Sequence, residues 1–176
     1  IHIGAGFMSI KKDTKALNAV AAMITAEKPD LVIVTGDIAY PVTFQSGTFN
    51  NKTSARLFAE LMEQLGVYWA MTFGNHDTES YSYFNREEIC DFYTSGEFSH
   101  CLLQAGPKDV DGEGNYIINV KNTAGKIVQS LIMMDSQAYL NNENVFASVI
   151  MKYDRIHDNQ VEWYKNEVKA LTAENG

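Results

Sequence analysis

Two short segments place oxygen- and nitrogen-bearing side chains directly after apolar runs. Gly36-Asp37 follows Leu31-Val32-Ile33-Val34, and Gly74-Asn75-His76-Asp77 follows Tyr68-Trp69-Ala70-Met71-Thr72-Phe73. If both runs are buried strands, both segments lie at strand C-terminal ends, the edge where open α/β sheets put their ligands. An Asp carboxylate can bridge two divalent cations, and an Asn amide oxygen is a neutral ligand for one. A neighbouring His can donate a proton or hydrogen-bond a phosphoryl oxygen. Two metals about 3.5–4 Å apart would clamp the attacking and leaving oxygens of a phosphoryl transfer. The glycines allow a tight turn and close approach of the backbone to the ions. Gly-Asp after a strand is by itself most often an ordinary turn. Both segments on successive strands of one pattern are much less expected by accident.

The elements that must hold these residues follow from periodicity. Ile1 and Ile3 read as the tail of a strand. Thr14 to Glu27 is predicted as a helix with Asp13 as cap, because Leu17, Val20, Ala21 and Ile24 share one face. Leu31 to Val34 suits a parallel strand covered on both faces. Ser54 to Leu65 is predicted as a second helix, its stripe formed by Leu57, Phe58, Leu61, Met62 and Leu65 and its stop by Gly66. Val67 to Phe73 is the next strand. Asn85 followed by Glu88 has the spacing of a capping box and opens a short helix to about Tyr93. Gly96 to Gly114 is expected as a surface loop. Tyr116 to Val120 and Lys126 to Met134 then form a hairpin about residues 121–125. Leu140 to Asp158 has no clear period, and Val161, Tyr164, Val168 and Leu171 mark a last amphipathic helix. Alternating strands and helices with short connections predict an α/β layered fold, read as a single domain over residues 1–176.

Composition narrows the partners. The 176 residues carry a net charge of −8 with 45% hydrophobic residues, an ordinary balance for a globular domain. No basic stripe for nucleic acid is expected, and no apolar run approaches a membrane span. Bound cations would supply the local positive field that phosphate chemistry needs. Two cysteines, Cys90 and Cys101, are too few for a disulfide framework.

Together, Gly36-Asp37 and Gly74-Asn75-His76-Asp77 resemble the second and third signature blocks of the calcineurin-like metallophosphoesterase superfamily. Ile1-His2 resembles the last two residues of its Asp-x-His first block, whose Asp would stand just before Ile1. The resemblance implies a layered α/β/β/α sandwich, here as an N-terminal portion cut at both ends. It implies two metal ions drawn from Mn, Fe and Zn. His2, Asp37 and Asn75 would be metal ligands, with Asp37 bridging. His76 would be the catalytic His near the leaving group, Asp77 would orient its imidazole, and a metal-bound hydroxide would attack phosphorus. Gly36-Asp37-Ile38-Ala39-Tyr40 also fits the Gly-Asp-x-x-Tyr of purple acid phosphatases, whose Tyr binds ferric iron. Those enzymes usually carry Gly where His2 stands, so Tyr40 is read as packed, with a ligand role as the lesser alternative. The Asp135-Ser136 strand end and Gln160-Val161-Glu162-Trp163 resemble the same branch, with Gln160 structural and Trp163 in the core.

The expected activity is therefore hydrolysis of a phosphomonoester or phosphodiester in a small-molecule or phosphorylated substrate. The alternative is a catalytically inactive member of the same fold acting as a binding or scaffold protein. The later His blocks of the family have no counterpart here, so residues 1–176 alone are expected to be inactive. His100 and His157 lie outside the family's ligand positions and are read as surface or packing residues. Gly4-Ala5-Gly6 lacks the third glycine of a dinucleotide loop and is discounted.

Overall fold

A computed structural model describes residues 1–41, 50–79, 81–140 and 153–175. Its elements are α1 (Ile10–Glu27), β1 (Leu31–Val34), α2 (Asn51–Leu65), β2 (Tyr68–Met71), α3 (Arg86–Thr94), β3 (Tyr116–Lys121), β4 (Ile127–Met133) and α4 (Asp158–Asn175). The expected α/β class holds. Of the stretch without period, residues 141–152 lie outside the described ones.

β1 and β2 pair in parallel, Leu31 opposite Tyr68 through Val34 opposite Met71. Both strands thus end at the same edge, with Gly36-Asp37 and Gly74-Asn75-His76-Asp77 side by side beyond it. Residues 1–3 join this edge: Ile3 bridges Ala39, and the Ile3 N–H donates to the Ile38 carbonyl at 2.8 Å. The expected full cover of β1 is not met among the described residues, where Ile33 is 41% exposed.

α1 and α2 start earlier than periodicity predicts. α2 opens at Asn51 because the Asn50 side chain accepts the Thr53 N–H, and it closes at Gly66 in the left-handed region. Its buried stripe is Ala55, Phe58, Ala59 and Met62, whereas Leu57 is 38% exposed. α2 packs beside α1 and α3, and its Phe58 meets Trp69 edge-on at 5.4 Å. Asp13 does not cap α1. It is buried within the first turn, accepting the Ser9 hydroxyl at 2.7 Å and the Gly4 N–H at 3.2 Å. That carboxylate ties the helix start to the segment carrying His2.

The Asn85/Glu88 capping box forms as its spacing predicts and opens α3. β3 and β4 make the expected antiparallel hairpin, with an irregularity between Val120 and Lys121. Gln160, at the start of α4, is fully buried. Its amide donates to the Asn115 side-chain oxygen and the Asp135 carbonyl, locking α4 to the end of β4. Trp163, expected in the core, is half-buried instead. Cys90 and Cys101 are free thiols, and burial pushes them up to about 12 and about 11. Among the described residues, no helix is long and apolar enough to cross a membrane.

Candidate metal centre

The two strand-end loops touch backbone to backbone, and only glycine permits it. A Cβ on Gly36 would fall 2.5 Å from the Gly74 nitrogen. One on Gly74 would fall 2.1 Å from Asp37 Oδ1 and 2.5 Å from the Asp37 nitrogen. The glycines therefore let the loops approach each other, which the sequence reading assigned to approach of the ions.

Asp77 latches this contact. Its Oδ2 accepts the N–H groups of Asp37 and Gly74, each at 2.8 Å, and its Oδ1 accepts that of Ala39 at 3.0 Å. Burial pushes the Asp77 carboxyl up against these three donors, which pull it down. The side chain is consumed by the backbone and does not orient the His76 imidazole. That correction has a local cause: the turn after Gly74 folds Asp77 inward under the loop.

The orienting carboxylate is Glu79, one helical-type turn beyond His76. It is buried, and its Oε1 lies 2.6 Å from His76 Nδ1. With the Glu79 oxygen as acceptor, Nδ1 is the donor of this hydrogen bond and Nε2 is the remaining nitrogen for a metal or substrate. Glu79 stands three residues from His76, a spacing visible in the sequence but without meaning until the turn is known.

His2, Asp37 and His76 meet at this edge, each offering one ligand atom within 4.8 Å of the others. His2 Nε2 lies 3.2 Å from Asp37 Oδ2, and the His76 N–H donates to Asp37 Oδ1 at 3.0 Å. Burial would raise the Asp37 carboxyl, but the His76 N–H and the His2 ring outweigh it and hold it below its ordinary value. Both His2 (φ 55°) and Asp37 (φ 56°) occupy the left-handed region, a strain of about 1–3 kcal/mol per residue that clusters at functional sites. The His2 imidazole and the ionised Asp37 carboxylate give mixed N and O donors that fit Mn, Fe or Zn, with the His76 ring 5.1 Å from that of His2.

Tyr40 packs on the cluster, its ring 4.0 Å from that of His76 and 5.6 Å from that of His2. Burial, and then the neighbouring Tyr40 phenol, raise the Tyr81 phenol above its ordinary value. Asn75 lies beside His76 and its amide nitrogen donates to the Tyr139 hydroxyl at 2.7 Å. Tyr139 in turn donates to Glu79 Oε1 at 3.1 Å. Burial and the Glu79 carboxylate outweigh the Asn75 hydrogen bond and raise the Tyr139 phenol above its ordinary value.

Arg86, at the first position of α3, braces the loop from behind. Its Nη2 donates to the Gly74 carbonyl at 3.0 Å, its Nη1 pairs with Asp135, and its guanidinium lies over Phe73 at 5.1 Å. Asp135 is fully buried and also accepts the N–H groups of Glu113 and Gln137, both at 3.0 Å. Arg86, Glu79 and Tyr139 escaped the sequence reading. The histidines read as packing residues have such partners: His100 bonds Glu63, and His157 sits between Asp111 and Asp154.

The profile of the calcineurin-like phosphoesterase family matches residues 2–172. Three proteins of Arabidopsis thaliana are similar. They are probable inactive purple acid phosphatase 14 (29% identical over 86% of this chain), 28 (27% over 82%) and 29 (27% over 86%). The aligned part covers 37–38% of the length of each of these relatives. With the two Gly-containing loops joined at one sheet edge and the family profile matching residues 2–172 of this chain, the chain belongs to the calcineurin-like phosphoesterase family.

Proposed function

We propose that the protein is a metal-dependent hydrolase of phosphate mono- or diesters that works at this sheet edge. The observation that carries the reading is the convergence of His2, Asp37 and His76, three residues remote in sequence, with ligand atoms within 4.8 Å. When bound, two cations would stabilise charge on the phosphoryl group and lower the pKa of a water. His2 and Asp37 would hold them, with Asn75 as a neutral oxygen ligand. His76, its Nδ1 proton held by Glu79, would use Nε2 to hydrogen-bond a phosphoryl oxygen or to protonate the leaving group. Asp77 contributes by latching the two loops, and Tyr40 by packing on the His76 ring.

A second reading has its own support. The relatives are named probable inactive phosphatases, which favours a fold retained as a binding or scaffold module. Metal analysis of full-length protein, with turnover of p-nitrophenyl phosphate and bis-p-nitrophenyl phosphate, separates the two. About two metals per chain with turnover is the expected result. Protein that stays metal-free and inactive after reconstitution with Mn, Fe or Zn would move the assignment to the scaffold.

A further inference from the structure

An Asn amide is a metal ligand only through its oxygen, and rotation by half a turn presents the NH₂ group instead. The two orientations have nearly the same shape, so packing alone discriminates poorly between them. Something that accepts from the NH₂ group must therefore fix the choice.

We propose that Tyr139 is a positioning residue that sets the orientation of the Asn75 amide and so holds its oxygen as a ligand. The inference rests on the assignment of Asn75 to the metal centre. The hydrogen-bond chain has one consistent direction. Glu79 Oε1 is the acceptor of two hydrogen bonds, one from His76 Nδ1–H and one from the Tyr139 hydroxyl. Tyr139 has then spent its proton and offers only lone pairs to Asn75, 2.7 Å away. The group on Asn75 facing it must be the NH₂, which turns the amide oxygen the other way. His76 Nδ1 lies 3.3 Å from the same amide nitrogen, but with its N–H directed to Glu79 it makes no hydrogen bond to the NH₂ group, whose acceptor is the Tyr139 oxygen.

The arrangement joins the two halves of the described chain. Tyr139 follows β4 and lies 64 residues from Asn75 and 60 from Glu79. One carboxylate thereby orients His76 directly and Asn75 through the phenol. Outer-sphere partners of this kind typically change metal affinity by about 10–100-fold when removed.

The test is a double-mutant cycle in the full-length protein, read by calorimetric titration of the metal-free protein with Mn²⁺. Tyr139→Phe removes the acceptor while keeping the ring, and a 10- to 100-fold weaker Mn²⁺ affinity is expected. Asn75→Asp supplies two equivalent oxygens, so orientation no longer matters. In that background Tyr139→Phe should change affinity by less than about twofold, the remainder expected once the orienting contribution is gone. An equal loss in both backgrounds overturns the inference, because it would make the phenol a general structural support. Unchanged Mn²⁺ affinity in the single variant also overturns it, while the metal-centre assignment stands. A wild-type protein that binds no Mn²⁺, Fe²⁺ or Zn²⁺ instead defeats that assignment itself.

Discussion

Arg86→Met should be among the most damaging substitutions outside the candidate metal ligands. The guanidinium holds two groups at once: the fully buried Asp135 carboxylate and, at 3.0 Å, the Gly74 carbonyl. Removing one partner of a buried ion pair costs about 3–5 kcal/mol. Asp135 keeps two backbone N–H donors, from Glu113 and Gln137, which puts the loss at the lower end of that range. Leaving the Gly74 carbonyl without its donor adds about 1 kcal/mol, so the sum is about 4 kcal/mol. With a urea slope of about 2 kcal/mol/M, the unfolding midpoint should fall by about 2 M. Arg86→Lys keeps a positive charge beside Asp135 but cannot fork to Gly74, and should lose only about 1–2 kcal/mol. The assay is urea unfolding followed by tryptophan fluorescence, since Trp69 is fully buried in the core between Phe58 and Tyr93. A loss below about 1 kcal/mol for Arg86→Met would refute the argument that this fork braces the loop.

Two further substitutions probe the other supports. Asp77→Asn leaves one oxygen and an NH₂ group facing three backbone N–H donors. A donor then meets a donor, at a cost of about 1–3 kcal/mol. The melting temperature should drop by roughly 3–10 °C; an unchanged value would mean that the carboxylate is not the latch. His157 is raised above its ordinary 6.5 by its hydrogen bonds to Asp111 and then Asp154. A raised folded value stabilises fully below the unfolded value and is lost as pH rises through the folded one. The melting-temperature gap between wild type and His157→Gln should therefore be widest below pH 6.5 and close at more alkaline pH. A gap that widens with pH would contradict the pairing.

Much of the scaffold was legible because it is local. The Asn85/Glu88 box, the Gly66 stop and the hairpin at 121–125 each depend on hydrogen bonds within a few residues, so spacing alone specifies them. The two Gly-Asp and Gly-Asn-His-Asp loops were found for the same reason, since each follows its strand directly. Periodicity was less certain about which residues of a stripe face inward, and Leu57 turned out exposed while Ala55 and Ala59 are buried. A side chain's hydrophobicity does not say how close the neighbouring elements will come.

What each polar side chain is for was decided only by the tertiary structure. The sequence by itself determined that Asp77 stands next to His76, but the turn sends Asp77 to the backbone and leaves Glu79 for the imidazole. Arg86 and Tyr139 carry no local signal, because their partners lie at Gly74, Asp135, Asn75 and Glu79. Hydrogen bonds are short and directional, so a residue's role follows from where its last few ångströms point. That direction is set by backbone dihedrals and by strands brought together from remote parts of the chain, neither of which residue type or spacing records.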